Sequence, residues 1–175
     1  MDGDGSPNSV EVVVEAEPWR SVLSDPEALC RRAVETAIGL VVGRGEIGPV
    51  TVLLTDDARI RALNRSWRGE DSATDVLSFP SGPRPPGLPA EEPWPLGDIA
   101  VAFETAARDA RGSGRPLSDH LAHLLVHGTL HLLGFDHEEP EEAERMEALE
   151  RRILAALGIE PAPTEEPIAA PETAP

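Results

Sequence analysis

The sequence predicts an α+β domain, on three observations. Short β-branched runs alternate with amphipathic segments as far as Gly112, whereas the chain beyond it is helical in pattern with no further strand. The 175 residues suit one hydrophobic core of ordinary size. Apolar residues make up 40%, yet with three Phe, three Trp and no Tyr the core must be built from Leu, Val, Ile and Ala.

Taken in order, Val10, Val12 and Val14 alternate with Glu11 and Glu15, interrupted only by Val13, which is the pattern of a half-buried first strand. Asp25-Pro26-Glu27 supplies a capping carboxylate and a proline at the first helical position, so a helix starts there and runs to about Val42. Gly48-Pro49 precedes the β-branched strand Val50 to Leu54, and Thr55-Asp56-Asp57 opens a helix carrying Ile60, Leu63 and Asn64. Asp75 to Phe79 and Gly97 to Ala102 read as two more strands. The Pro-rich connection between them, Pro80 to Pro95, offers only Arg84 and Trp94 as chemical groups and is taken as an insertion at the sheet edge rather than a lid. A helix from Ala102 to Arg111 stops at Gly112-Ser113-Gly114, a strongly apolar one runs from Leu117 to about Leu133, and a last one spans Pro140 to Leu157. The expectation is a mixed sheet of about four strands with about five helices. The domain occupies residues 9–159, with disordered tails at 1–8 and 160–175, where Pro, Ala, Thr and Glu cannot support a core.

The formal charge is −17, and all fifteen basic residues are arginine. Such a chain does not adhere broadly to nucleic acid or to anionic membrane. The balance is uneven: from Arg20 to Asp136, 12 Arg face 16 acids, so most of the excess lies at the two ends. Arg59, Arg61, Arg65 and Arg68 form a cationic strip able to meet phosphate, although Arg59 and Arg61 alone fit a solvated helix face equally well. Cys30 has no partner for an internal disulfide and sits in an amphipathic run, as a buried thiol would. The acidic, Gly-rich start lacks the form of a secretory signal, and no apolar run reaches the roughly 18 residues of a spanning helix. A soluble, cytoplasmic protein without a membrane partner is expected.

All five histidines, His120, His123, His127, His131 and His137, fall within 18 residues. At about 100° per residue the first four share an arc of roughly 80° on one helix face. His127 and His131 are i, i+4 neighbours whose imidazoles can reach one ion. Gly134 can end the helix in a left-handed conformation and turn the chain so that His137 approaches the same point. His127-Gly128-Thr129-Leu130-His131-Leu132-Leu133-Gly134-Phe135-Asp136-His137 thus has the spacing HExxHxxGxxH of the metzincin zinc motif, with Gly128 in place of the general-base Glu. Three neutral imidazoles leave one coordination position open, as in a catalytic rather than a structural zinc site, so one metal ion per chain is expected on His127, His131 and His137, with Zn²⁺ as the expected ion and Ni²⁺ and Co²⁺ as ions the trio would also bind. His120 and His123, taken singly, read as core or surface histidines. Asp136 fits two roles, orienting a ligand imidazole or capping the turn. A metal site on a helix and the following turn beside a mixed sheet narrows the α+β class to a zincin-like arrangement. The missing Glu argues against peptide hydrolysis, whereas Zn²⁺ lowers the pKa of its water to about 7 without a Glu and polarises phosphoryl oxygens.

The sequence resembles the YbeY family of bacterial endoribonucleases, or rRNA maturation factors. The resemblance rests on Leu63-Asn64-Arg65-Ser66-Trp67-Arg68 leading to Thr74-Asp75-Val76-Leu77-Ser78-Phe79-Pro80, on Leu96-Gly97-Asp98-Ile99, and on His123-Leu124-Leu125-Val126-His127 through His137. It implies a metal-dependent hydrolase specific for single-stranded RNA, acting at the three-prime end of small-subunit rRNA and in ribosome quality control. It implies zinc on His127, His131 and His137, an important arginine at Arg68, and precursor rRNA and the ribosome or its proteins as partners. The guanidinium fork of Arg68 suits phosphate, while a salt bridge to Glu70 or Asp71 is the structural alternative. Asp75 and Asp98 read as turn caps or braces for the arginine, without a catalytic role. The run of seven Glu in Glu138 to Glu150 reads as a solvated helix face. Two other functions stay open: a non-catalytic, metal-stabilised ribosome assembly factor and, on the motif spacing alone, a metzincin-like metalloprotease.

Overall fold

The computed structural model describes residues 9–43 and 48–160. The expected tails at 1–8 and 160–175 therefore lie outside the described residues, Glu160 excepted. In chain order the elements are β1 (Val10–Val14), α1 (Pro18–Val22), α2 (Pro26–Val42), β2 (Val50–Thr55), α3 (Asp57–Arg68), β3 (Val76–Pro80), β4 (Gly97–Ala102), α4 (Phe103–Gly112), α5 (Leu117–Leu132) and α6 (Pro140–Ala156). This is an α+β arrangement with four strands and six helices among the described residues, one helix more than expected. The addition is α1, five residues long and too short to show a helical period. It forms because the fully buried Trp19 donates its indole N–H to the Thr55 carbonyl at 2.9 Å and packs edge-on against Phe103 at 5.1 Å.

The caps behave as the sequence indicates. Asp25 accepts from the Ala28 N–H at 3.1 Å and Asp56 from the Arg59 N–H at 2.9 Å, each satisfying a donor that the first helical turn leaves free. The sheet order is β1-β2-β4-β3, with β1, β2 and β4 parallel and β3 antiparallel to β4 along the edge. The Pro-rich connection thus joins a hairpin, and it is tied to itself: Arg84 donates to the Pro89 and Glu92 carbonyls, and the Trp94 indole donates to Gly82 O at 3.0 Å.

Strand alternation divides the core in two. Val50, Val52, Leu54, Ile99 and Val101 point into the larger cluster with α2, α5 and α6, while Leu77, Ala100 and Ala102 meet Ile60 of α3 on the opposite face. No described helix is long and apolar enough to cross a membrane. Cys30 is fully buried in the larger cluster, and that burial pushes its thiol up to about 12. The thiol is therefore expected to resist an aromatic disulfide reagent in native protein and to react at once in denaturant. Rapid native labelling would show that α2 is not packed as described.

Candidate metal centre

Helix α5 carries the site, and its docking on the sheet decides which way the histidines point. Leu121, Leu124, Leu125 and Leu130 are fully buried in the main cluster, which leaves His127 and His131, one turn apart, at the partly exposed margin. Gly128 is the point of closest approach to the sheet. A Cβ there would lie 3.0 Å from Ser78 Oγ and 3.2 Å from Ile99 Cγ2, and the Ser78 hydroxyl donates to the Gly128 carbonyl at 3.2 Å. The general-base position of the protease motif therefore faces β3 and β4, where a Glu side chain has no room.

The helix ends in a Schellman turn. The Phe135 N–H reaches the Leu130 carbonyl and the Gly134 N–H the His131 carbonyl, each at 3.0 Å, with Gly134 at φ 101°. The reversal brings the exposed His137 ring to 5.8 Å from His127 and 5.2 Å from His131, centroid to centroid. It also aims the Phe135 carbonyl at His131 Nδ1, 3.0 Å away. Ligand atoms of all three histidines lie within 4.8 Å of one another.

Hydrogen bonding fixes the tautomers. His127 Nδ1 lies 2.6 Å from a Glu150 carboxylate oxygen of α6 and His131 Nδ1 faces Phe135 O, so both Nδ1 atoms carry the proton and both Nε2 atoms keep a lone pair. Those lone pairs face each other at 3.1 Å. Two acceptors at that separation repel unless a cation lies between them, and tetrahedral zinc with Zn–N bonds of about 2.0–2.1 Å separates its ligand nitrogens by about 3.3 Å. The trio could hold a metal ion. Burial, reinforced by His127 and His137, pushes His131 down to about 4, so its imidazole is neutral and available to an ion at pH 7.

Glu150 joins the histidine cluster from α6, a place not expected from the sequence. It lies in the acidic run read as a solvated face, yet it is 8% exposed, with one oxygen at His127 and the other 3.3 Å from His123 Nε2. Burial alone would raise its carboxyl, but the hydrogen bonds from the two histidines outweigh it and hold it at about 2. A signal was present: Met146, Glu150, Ile153 and Leu154 repeat at helical spacing, so Glu150 shares the buried stripe of α6. His123 thereby has a supporting place, between Glu150 and Arg115, whose Nη1 lies 3.1 Å from His123 Nδ1. Asp136 takes the second of its two readings, accepting from the His137 N–H at 2.6 Å within the turn.

Arg68 ends α3 on the other side of the sheet, exposed, and among the described residues it touches none of the three histidines. The salt bridge to Asp71 does not form, because Asp71 is held by Arg61 at 2.7 Å and Arg65 at 3.3 Å, and among the described residues Glu70 does not pair with Arg68 either. Trp67, 72% exposed, leans on Phe79 of β3 at 6.0 Å and sets the last turn of α3 above the edge strand. Asp75 braces no arginine among the described residues; it is buried, and that burial raises its carboxyl to about 6. Burial likewise raises the carboxyl of Asp98.

The profile of the family described as Endoribonuclease YbeY matches residues 21–158. The chain belongs to the YbeY family. A protein named Endoribonuclease YbeY from Rhodopseudomonas palustris (strain BisA53) is 48% identical over 153 residues, covering 87% of this chain and 88% of that one. Its namesake from Nitrobacter hamburgensis is 51% identical, covering 86% and 80%, and that from Halorhodospira halophila 58% identical, covering 71% and 78%. The YbeY match takes in α3, the whole of α5, the turn to His137 and Glu150 on α6.

Two outcomes are expected. Glu150→Gln keeps the side chain's shape and removes its charge, and should weaken metal binding about 10- to 100-fold in a chelator competition while the far-ultraviolet circular dichroism stays native. Gly128→Glu forces a charged side chain against Ile99 and should cost at least about 3 kcal/mol in urea unfolding. A Gly128→Glu protein of unchanged stability would mean that α5 does not rest on the sheet there.

Proposed function

We propose that this chain is a metal-dependent endoribonuclease that cleaves single-stranded RNA, acting in the cytoplasm on precursor small-subunit rRNA near its three-prime end and in ribosome quality control. The observation that carries the reading is the convergence of two Nε2 lone pairs at 3.1 Å, beside a third histidine, in a chain of the YbeY family. His127, His131 and His137 would hold one Zn²⁺ in a zincin-like scaffold, with Glu150 and the Phe135 carbonyl keeping two of the rings in register. When bound, the ion would supply a water ionised near neutral pH and polarise a phosphoryl oxygen.

Arg68 is the group assigned to the scissile phosphate. Its fork offers paired donors to non-bridging oxygens, and it would stabilise charge that grows there during cleavage. Its exposure supports the role, as does its freedom from carboxylate partners among the described residues, in contrast with Arg61 and Arg65. The single edge strand β3 separates α3 from α5, through Trp67 on Phe79 and Ser78 on Gly128, so a strand of RNA wrapping that edge would meet both groups. Peptide hydrolysis is disfavoured by Gly128, whose place faces the sheet.

The charge of −17 opposes long-range approach of RNA, so the ribosome or its basic proteins would deliver the substrate. The decisive experiment measures metal content and cleavage of a single-stranded RNA ending like precursor small-subunit rRNA. His131→Ala is expected to lose the zinc held by the trio and, with it, cleavage. Arg68→Ala should keep metal and fold and lose about 10²- to 10³-fold in rate. Full cleavage by Arg68→Ala would remove that residue from the mechanism. A metal-loaded wild type that cleaves nothing, even with ribosomes supplied, would leave the non-catalytic assembly factor as the function. Ribosome-bound RNA should be cut faster than free RNA throughout a salt series, and equal rates would defeat the delivery idea.

A further inference from the structure

A second constellation lies on the same helix, seven residues before the first ligand of the trio. Asp75, just before β3, Asp109 of α4 and His120 of α5 each offer an atom within 4.8 Å of the others. His120 is 7% exposed and Asp75 8%, with Asp109 half-buried on the side open to solvent. Both His120 ring nitrogens are buried without a hydrogen-bond partner, although a neutral imidazole carries one donor and one acceptor and buried polar groups are ordinarily paired. The carboxylates lack a compensating cation: Arg108, next to Asp109 in sequence, turns to Asp57 at 3.8 Å, and among the described residues no arginine forms an ion pair with Asp75 or Asp109. Asp75 has a weak contact from the Thr74 hydroxyl at 3.5 Å and lies within hydrogen-bond reach of the Asp109 carboxyl.

A buried and a half-buried carboxylate facing an unpartnered buried imidazole are costly as an empty arrangement, and one ion of charge +2 would satisfy all three. We propose that Asp75, Asp109 and His120 form a second divalent-cation site, separate from the histidine trio and structural in role. The donor set selects the class of ion: two hard carboxylate oxygens favour Mn²⁺-like cations, and the imidazole favours a transition ion over Ca²⁺ or Mg²⁺. Seven residues of α-helix advance about 10 Å, well beyond the about 3.5–4 Å at which paired metals share a substrate oxygen. The ion therefore takes no part in chemistry at the trio. It stakes α5, which bears His127 and His131, to α4 and to the edge strand that also receives α5 through Ser78. The proposal does not depend on what the trio does.

The test uses the full-length protein stripped with a chelator and then titrated with Mn²⁺ alone, free ion being read by electron paramagnetic resonance. His131→Ala removes the trio as a competitor and is expected still to bind about one Mn²⁺, with a rise in Tm as it does so. Adding Asp109→Asn, a half-buried and isosteric change, should abolish both the binding and the rise in Tm. In the otherwise unaltered chain, Asp109→Asn should lower the stoichiometry from about two to about one, which gives the same answer if the double variant does not fold. No bound Mn²⁺ in folded His131→Ala at millimolar ion would overturn the proposal, as would binding that survives Asp109→Asn unchanged.

Discussion

The rest of the structure depends on the contact of α5 with the sheet at Gly128. With hydrogen as the only side chain, the helix settles against Ser78 and Ile99, and its rotation is then set. Leu121, Leu124, Leu125 and Leu130 go into the core, while His123 and His127 come out at the boundary with α6. A buried helix face and a chemical face are alternatives on one cylinder, so fixing one by apolar burial fixes the other without separate energetic cost. The residue that a protease would use as its base is thus the residue this chain uses for packing.

From that rotation the site is built by two neighbours of different kinds. The Glu150 carboxylate approaches from α6 and the Phe135 carbonyl from the turn, each accepting a hydrogen bond from the Nδ1–H of one histidine. A main-chain acceptor cannot be lost by substitution of its side chain, whereas the carboxylate can, so the two imidazoles differ in what their orientation depends on. Because Glu150 also faces His123, which meets Arg115, the histidine cluster continues into a polar network along the α5–α6 seam. Such a network rigidifies a site only while every member keeps its partner.

The opposite face of the sheet contributes differently. There the smaller cluster of Ile60, Leu77, Ala100 and Ala102 holds α3, whose last turn carries Trp67 and Arg68 out over the edge strand. The cationic strip noted in the sequence divides in function: Arg61 and Arg65 are engaged by Asp71, and Arg68 is presented to solvent. Spacing along a helix does not reveal which of several arginines a loop carboxylate will capture.

Read by itself, the sequence determined the α+β class, the four strands, five of the helices, four of them with both ends to within a residue or two and α3 by its start alone, and the histidine trio. These follow from local rules: alternation and helical period, proline and aspartate caps, and a one-turn separation of two histidines before a glycine turn. Tertiary structure alone decided α1, which rests on the burial of Trp19, and Glu150, whose place among six other glutamates became meaningful only when α6 packed on α5. It also decided the gathering of Asp75, Asp109 and His120 from three elements. The reason is common to all three. Local periodicity says which face of an element is apolar, but the partner of a buried polar group comes from a distant segment, and only the packed chain specifies which one.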